Sequence, residues 1–285
     1  LVVVSTPIET HYELAKKCLQ AGKHVLVDKP VTAHFSQAQE LGELAESRNV
    51  VLYPFQNRRW VSDFLTLRKL LDLPADHPKS LGTLYEFESR FDRFRTELKG
   101  TWKDLPLEAN GLTYDLAAHT IDQVLVLFGR PAKITAMIEN NRGLGSKEVD
   151  DCVCLLIGVQ PQSFTAILRG HILSVRSPQV RYVVRGTHGT FLKYGVDVQA
   201  DQLKVIPTPA AIAQNTEYGV EPEDIWGTVE SLDADGKVVK STWPSTERGS
   251  YVSLFENVAA VIRDGTEQAV KWEQSAEVIE MNELA

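Results

Sequence analysis

The segment His24-Val-Leu-Val-Asp-Lys-Pro30 decides the fold of the first part of the chain. A short apolar run that ends at a proline is typical of a parallel strand buried on both faces. Residues 1–5 and 50–55 form two runs of the same character. Between these runs, residues 9–20 and 36–47 have helical periodicity. Strands that alternate with helices predict a parallel sheet with right-handed crossovers.

The pattern changes after residue 82, where longer runs of alternating apolar and polar residues begin. One helix is predicted over residues 111–128, and two more over 251–264 and 274–284. Strands grouped with helices to one side indicate an α+β domain on an open, largely antiparallel sheet. The predicted strands of this domain are residues 83–91, 132–139, 151–159, 164–172, 181–185 and 190–194.

Residues 73–80 separate the two patterns, because they contain two prolines and no periodicity. We therefore predict one domain over residues 1–75 and another over residues 76–285. A chain of 285 residues is also longer than one hydrophobic core usually serves.

Composition excludes several classes of function. The net charge of −8 argues against a nucleic-acid partner, which requires a basic surface. No apolar run is long enough for a membrane span, so we expect no membrane partner. The three cysteines have no CxxC spacing, which indicates reduced thiols and a cytoplasmic location.

Lys29 follows a buried strand at its carboxyl end, the edge where open α/β sheets bind ligands. An ammonium group there can donate a hydrogen bond to a substrate hydroxyl and stabilise a developing alkoxide. The alternative is a solvated lysine at a strand end.

The predicted helix 111–128 places Asp115, His119 and Asp122 on one stripe of an otherwise apolar surface. Buried ionisable groups need partners, and such clusters are frequent at active sites. Three interpretations remain open. His119 is a general base with Asp115 beside it, or the three side chains bind a metal, or they form a structural network with arginines. We expect no metal, and we expect Asp122 to be a structural partner.

Three motifs in order extend this argument: Thr6-Pro7 with His11, then Asp28-Lys29-Pro30, then Asp115-Leu-Ala-Ala-His119. In this order and at these separations they resemble the Gfo/Idh/MocA oxidoreductase family. Residues 56–60, 91–95 and 191–197 are similar to the branch that contains NADP-dependent scyllo-inositol dehydrogenases.

The resemblance implies a partial Rossmann domain followed by an α/β domain, and a homodimer or homotetramer formed through the open sheet. It implies hydride transfer between NAD or NADP and a CH–OH group of a small-molecule sugar or cyclic polyol. Lys29, Asp115 and His119 are then the catalytic residues. Residues expected to bind the cofactor are Ser5, Thr6, Pro7, His11, Asp28, Lys29, Pro30, Asn57 and Arg58. Substrate contacts are expected from Lys29, Arg93, Arg95, Trp102, Asp115 and His119.

The sequence departs from the family at its beginning, because it contains no GxGxxG turn. In the family, the amides of that turn hold the pyrophosphate at a helix N-terminus. We expect the given chain to begin at the family's fourth strand, about 60–70 residues into the Rossmann domain. Two alternatives to an enzyme therefore stay open. One is a non-catalytic sensor of dinucleotide or sugar, and the other is a truncated inactive fragment.

Overall fold

The computed structural model describes residues 1–160 and 163–285. Its first part is a three-stranded parallel sheet with the order β1-β2-β3. This confirms the predicted strand–helix alternation, with strands one or two residues shorter at each end. The elements are β1 (Val2–Val4), α1 (His11–Gln20), β2 (Val25–Val27), α2 (Phe35–Ser47) and β3 (Leu52–Pro54).

Helix α3 (Ser62–Leu71) follows β3, and the sequence analysis did not predict it. Its N-cap residue is Val61, whose side chain cannot accept a hydrogen bond, so the usual sequence signal for a helix start is missing. Leu67 and Leu70 are nevertheless fully buried, in the core of the second domain. The loop between α3 and the next strand contains residue 75, where the sequence predicts a domain boundary, and that boundary stays a prediction.

In the described residues, eight strands form the second sheet, in the order β11-β10-β9-β8-β4-β7-β6-β5. Only β4 and β7 pair in parallel, so the prediction of a mainly antiparallel sheet is confirmed. The strands of this sheet are β4 (Leu84–Arg90), β5 (Lys133–Glu139), β6 (Cys152–Val159), β7 (Phe164–His171), β8 (Val180–Gly186), β9 (Gly189–Tyr194), β10 (Gly227–Leu232) and β11 (Val238–Trp243). The α-helices in the same part of the chain are α4 (Ala118–Phe128), α5 (Gln199–Val205), α6 (Pro209–Gln214), α7 (Tyr251–Asp264) and α8 (Trp272–Leu284).

Strands β10 and β11 extend the sheet beyond the predicted set. Strand β11 is at the sheet edge, and four of its six residues are exposed. An edge strand of this kind does not need a continuous apolar face. The alternation that identifies buried strands is therefore absent from its sequence.

Helix α8 connects the two domains, because it contributes to both hydrophobic cores. Ala276 and Ile279 pack with the first sheet and its helices. Val278 and Met281 pack with the helical layer of the large sheet. At Gly42 of α2, a Cβ atom would lie 2.2 Å from the Trp272 ring, so only glycine allows α8 to approach this closely.

A buried ion pair adds a second connection. Arg59 donates two hydrogen bonds to Asp122, at 2.9 and 2.6 Å. Its remaining nitrogen donates to the carbonyl of Ala269 and to the side chain of Gln274. Breaking a pair of this kind usually costs several kcal/mol. Asp122 is therefore a structural residue that holds α4 against the first domain.

No helix in the described ranges combines the length and apolar character needed to cross a bilayer.

Candidate functional site

The carboxyl ends of β1 and β2 open into a cavity of about 240 Å³. Ser5 donates a hydrogen bond to Asp28 at 3.3 Å, and the same carboxylate accepts one from the Lys29 amide at 2.8 Å. Ligands of open α/β sheets usually bind at the carboxyl ends of the strands, and polar groups are grouped at that edge here. The lining residues are Ser5, Thr6, Pro7, Ile8, His11, Asp28, Lys29, Pro30, Trp102, Lys103, Ala109, Asn110, Gly111, Tyr114 and Asp115.

His11 connects the two segments that form one wall of this cavity. Its Nε2 lies 2.8 Å from the Thr6 carbonyl oxygen, and its Nδ1 lies 2.9 Å from that of Pro30. The imidazole is buried. Its contact with both loops shows a role in holding the cavity wall, in addition to lining the cavity.

Lys29 lies across the cleft from the second domain and contacts Asp115. The ammonium donates to an Asp115 carboxylate oxygen at 3.0 Å and also to the Asp115 backbone carbonyl. A second ammonium, that of Lys103, donates to the same carboxylate oxygen at 3.0 Å. The structure therefore brings together Lys29 and Asp115 from different domains.

Each of these charged groups shifts the pKa of its neighbours. Burial lowers the pKa of Lys29, although the neighbouring Asp115 carboxylate opposes that effect. Burial alone would raise the pKa of Asp115, but Lys29 and Lys103 outweigh it and hold that pKa well below its usual range. Asp115 is therefore ionised at neutral pH.

His119 interacts electrostatically with Lys29 and Asp115, but it is only 5% exposed and does not line either of the two cavities at this cleft. Its ring packs 6.1 Å from the Phe91 ring, measured between centroids. Its Nδ1 is buried with no hydrogen-bond partner among the described residues. Burial, followed by the charges of Lys29 and Arg58, lowers the pKa of His119 well below 6.5. A neutral imidazole with a free ring nitrogen can accept a proton.

The segment that presents Asp115 is a π-helical turn, Thr113–Ala117, and the prediction of a regular helix is wrong there. Asp150 fixes the start of this turn by accepting hydrogen bonds from the Thr113 amide and hydroxyl. The wider turn changes the helical phase. As a result, Asp115 pairs with Lys29 whereas Asp122 pairs with Arg59.

The remaining predicted site residues differ in whether they line a cavity at the cleft. Trp102 lines the cavity described above, and Arg93 and Arg95 line a smaller neighbouring one. Arg58 is paired with Asp197 at 3.0 Å, and neither it nor Asn57 lines the two cavities.

Sequence analysis did not identify Lys103 as a partner of Asp115. It lies in a short 3-10 helix, Trp102–Asp104, where the Thr101 amide is capped by Asp104. The Thr-x-x-Asp spacing of residues 101–104 is the sequence feature that indicates this capped helical turn.

Within residues 1–160 and 163–285, no group of three or more His, Cys, Asp or Glu side chains is arranged to hold a metal ion. Asp122 is also not available as a metal ligand, because Arg59 donates hydrogen bonds to both of its carboxylate oxygens.

Comparison with protein families matches almost the whole chain. Residues 1–56 match the NAD-binding Rossmann fold of the Gfo/Idh/MocA oxidoreductases. Residues 78–285 match the C-terminal alpha/beta domain of the same oxidoreductases. The chain belongs to the Gfo/Idh/MocA oxidoreductase family. The cofactor is NAD or NADP.

Several members of the family are similar over most of their length. An uncharacterized oxidoreductase, C26H5.09c of Schizosaccharomyces pombe, is 38% identical over 95% of this chain and 73% of that protein. The scyllo-inositol 2-dehydrogenase (NADP(+)) IolW of Bacillus subtilis is 34% identical over 100% of this chain and 75% of that protein. The solved structure of an oxidoreductase from Bacillus cereus has a TM-score of 0.84 and 31% identity, over 99% of this chain and 76% of that one.

We predict that Lys29→Met raises the pKa of His119, because the substitution removes one positive charge that opposes imidazole protonation. Burial and Arg58 remain, so the pKa stays below 6.5. The measurement is a histidine ¹⁵N NMR titration, with the His119 resonance assigned through His119→Gln.

Lys103→Met is the matched control, because it also removes one ammonium from Asp115. We expect a smaller effect on His119 from this variant. An equal effect of both variants, or no effect of Lys29→Met, contradicts the proposed proximity of Lys29 to His119.

Proposed function

We propose that the protein transfers a hydride between NAD or NADP and a CH–OH group of a cyclic polyol or sugar. The observation that carries the proposal is the Lys29–Asp115 contact across the two domains. The buried His119 interacts electrostatically with both groups, and its pKa is lowered. A free imidazole nitrogen can accept the proton of a carbinol, and an ammonium can stabilise the oxygen that loses it.

Each side chain has a separate role in this proposal. His119 accepts the hydroxyl proton as a general base, for which its neutral state is required. Lys29 donates a hydrogen bond to the same oxygen and stabilises its developing negative charge. Asp115 holds a neighbouring hydroxyl or orients the imidazole. The nicotinamide, when bound, accepts or supplies the hydride.

The cofactor contacts are proposed from the first domain. Ser5, Thr6 and Asp28 place hydroxyl and carboxylate groups along the cavity wall, where they can bind ribose hydroxyls. Pro7, Pro30 and His11 shape the same wall. Asn57 and Arg58 are proposed to lie near the nicotinamide end, and the Arg58–Asp197 pair fixes that arginine in place.

The substrate class is supported by the relative IolW, which is named as acting on scyllo-inositol. A cyclic polyol presents several adjacent hydroxyls, which suits a site with more than one polar contact. Trp102 lines the cavity and offers a ring face for the carbons of such a substrate. A cytoplasmic location is proposed because Cys18, Cys152 and Cys154 are free thiols.

We also propose a homodimer or homotetramer that forms through the open face of the large sheet. The register places Met137, Leu156, Ile167 and Val183 on this face, opposite the helical layer. Met137 is 65% exposed and Leu156 is 44% exposed. Exposed apolar groups on one face are typical of a subunit interface.

In the active oxidoreductase, Lys29→Met should lower kcat by about 10²–10³-fold, the usual cost of removing one donor to a developing oxyanion. Binding of NAD(P)H, followed by fluorescence, should change much less. Steady-state oxidation of scyllo-inositol and a panel of cyclic polyols and sugars, with NAD⁺ and NADP⁺, provides the measurement.

Lys103→Met is again the control, and its kcat should fall by less than about tenfold. Its side chain is 34% exposed, against 13% for Lys29, so its charge is better screened by water. Unchanged turnover in Lys29→Met would remove Lys29 from the mechanism. Failure of the parent protein to oxidise or reduce any member of the panel would reject the proposed function.

For the assembly, light scattering at micromolar concentration should give two or four times the mass of the chain. Leu156→Glu combined with Ile167→Glu should reduce that mass to one chain, because the charges would be buried at the interface. Val205→Glu, on an 80% exposed side chain of α5, should leave the mass unchanged. A single-chain mass for the parent protein contradicts this proposal.

A further inference from the structure

The chain continues past the end of β4 in an extended conformation and presents two arginines on one side. The amides of Arg93 and Arg95 donate to the carbonyls of His171 and Ile172, each at 2.8 Å. Side chains alternate along such a segment, so Arg93 and Arg95 point to the same side and Phe94 points to the other. Phe94 is exposed, and both arginines line a cavity in the second domain.

This second cavity adjoins the cavity that opens at β1 and β2. The two cavities share Lys103, Asn110, Gly111 and Asp115 as a common wall. The second cavity offers about 50 Å³ to water-sized groups. One water needs roughly 10–15 Å³ on this scale, so the space suits a single carboxylate or phosphate group.

The carboxylates around the second cavity already have partners. Asp151 is paired with Arg142 at 2.8 Å. Asp150 accepts hydrogen bonds from Thr113, and Asp104 accepts one from the Thr101 amide. Asp115 is shared between two ammonium groups.

Three cations remain without such partners. In the described part of the chain, the side chains of Arg93, Arg95 and Lys99 make no ion pair and no hydrogen bond. Burial and the neighbouring cations lower the pKa of Arg93 and of Lys99, although Asp115 opposes that effect. An anion placed among these groups would relieve their mutual repulsion.

We propose that the substrate carries an anionic substituent, a carboxylate or a phosphate, that Arg93, Arg95 and Lys99 bind. This inference rests on the proposed function, because it assigns the charged end of the same substrate. The reacting carbinol lies at Lys29, and the anionic group lies on the other side of the Asp115–Lys103 wall.

The position of the cations favours the substrate over the cofactor as the source of this anion. Every residue that lines the second cavity belongs to residues 93–172, in the second domain. The strand ends that form the dinucleotide edge line the first cavity instead. A planar carboxylate or a phosphate also matches the two-pronged donor geometry of a guanidinium.

Binding of matched probes tests the inference without turnover. We would titrate D-glucose, D-glucuronate, D-glucose 6-phosphate and scyllo-inositol by calorimetry, at low and high salt. At least one charged probe should bind about tenfold or more tightly than the neutral probes, and added salt should weaken that binding. The preferred charged probe distinguishes a carboxylate from a phosphate.

Arg93→Met and Arg95→Met should each remove most of the preference for the charged probe, because they weaken charged-probe binding far more than neutral-probe binding. Arg48→Met makes the same charge change at an exposed position of the first domain and should have no effect. Equal binding of charged and neutral probes, or a preference that survives both arginine substitutions, overturns the inference.

Kinetic assays on the same compounds separate this inference from the proposed function. If neutral polyols are oxidised as efficiently as acidic ones, the enzyme proposal stands and the anionic subsite is rejected. If charged probes bind through the arginines but no compound reacts with either cofactor, the subsite stands and the oxidoreductase proposal is rejected.

Discussion

The ion pair between Lys29 and Asp115 is the interaction on which the site depends. It joins residues 86 positions apart and connects the end of a buried parallel strand with a π-helical turn of the other domain. Both charged groups are partly removed from water, so each stabilises the ionised form of the other. The same ammonium helps to keep His119 neutral. One contact therefore places a donor and adds to the effect of burial that lowers the pKa of His119.

Much of this arrangement could be predicted from the sequence. Short apolar runs ended by polar residues identified the parallel strands, and the edge rule for such sheets placed Lys29 at the cleft. Helical spacing showed that Asp115 and His119 were unusual on an apolar surface. These arguments use local periodicity, which needs no knowledge of how the two domains pack.

The remaining features depend on long-range packing. At the start of the π turn, Asp150 of a distant loop accepts a hydrogen bond from the Thr113 amide, and the helical pattern alone does not contain that contact. Lys103 reaches Asp115 only through the position of its 3-10 helix. The common orientation of Arg93 and Arg95 depends on pairing with the end of β7. In each case, a contact between different elements of the structure determines the local geometry.

The most direct test of the account is a double-mutant cycle on kcat/KM with Lys29→Met, His119→Gln and the double variant. If both groups act on one hydroxyl oxygen, removing the second costs little after the first has been removed. The account predicts that the double variant loses about as much activity as the worse single variant, roughly 10²–10³-fold. Losses that multiply to about 10⁴–10⁶-fold would show that Lys29 and His119 act independently and would contradict the shared-oxygen site.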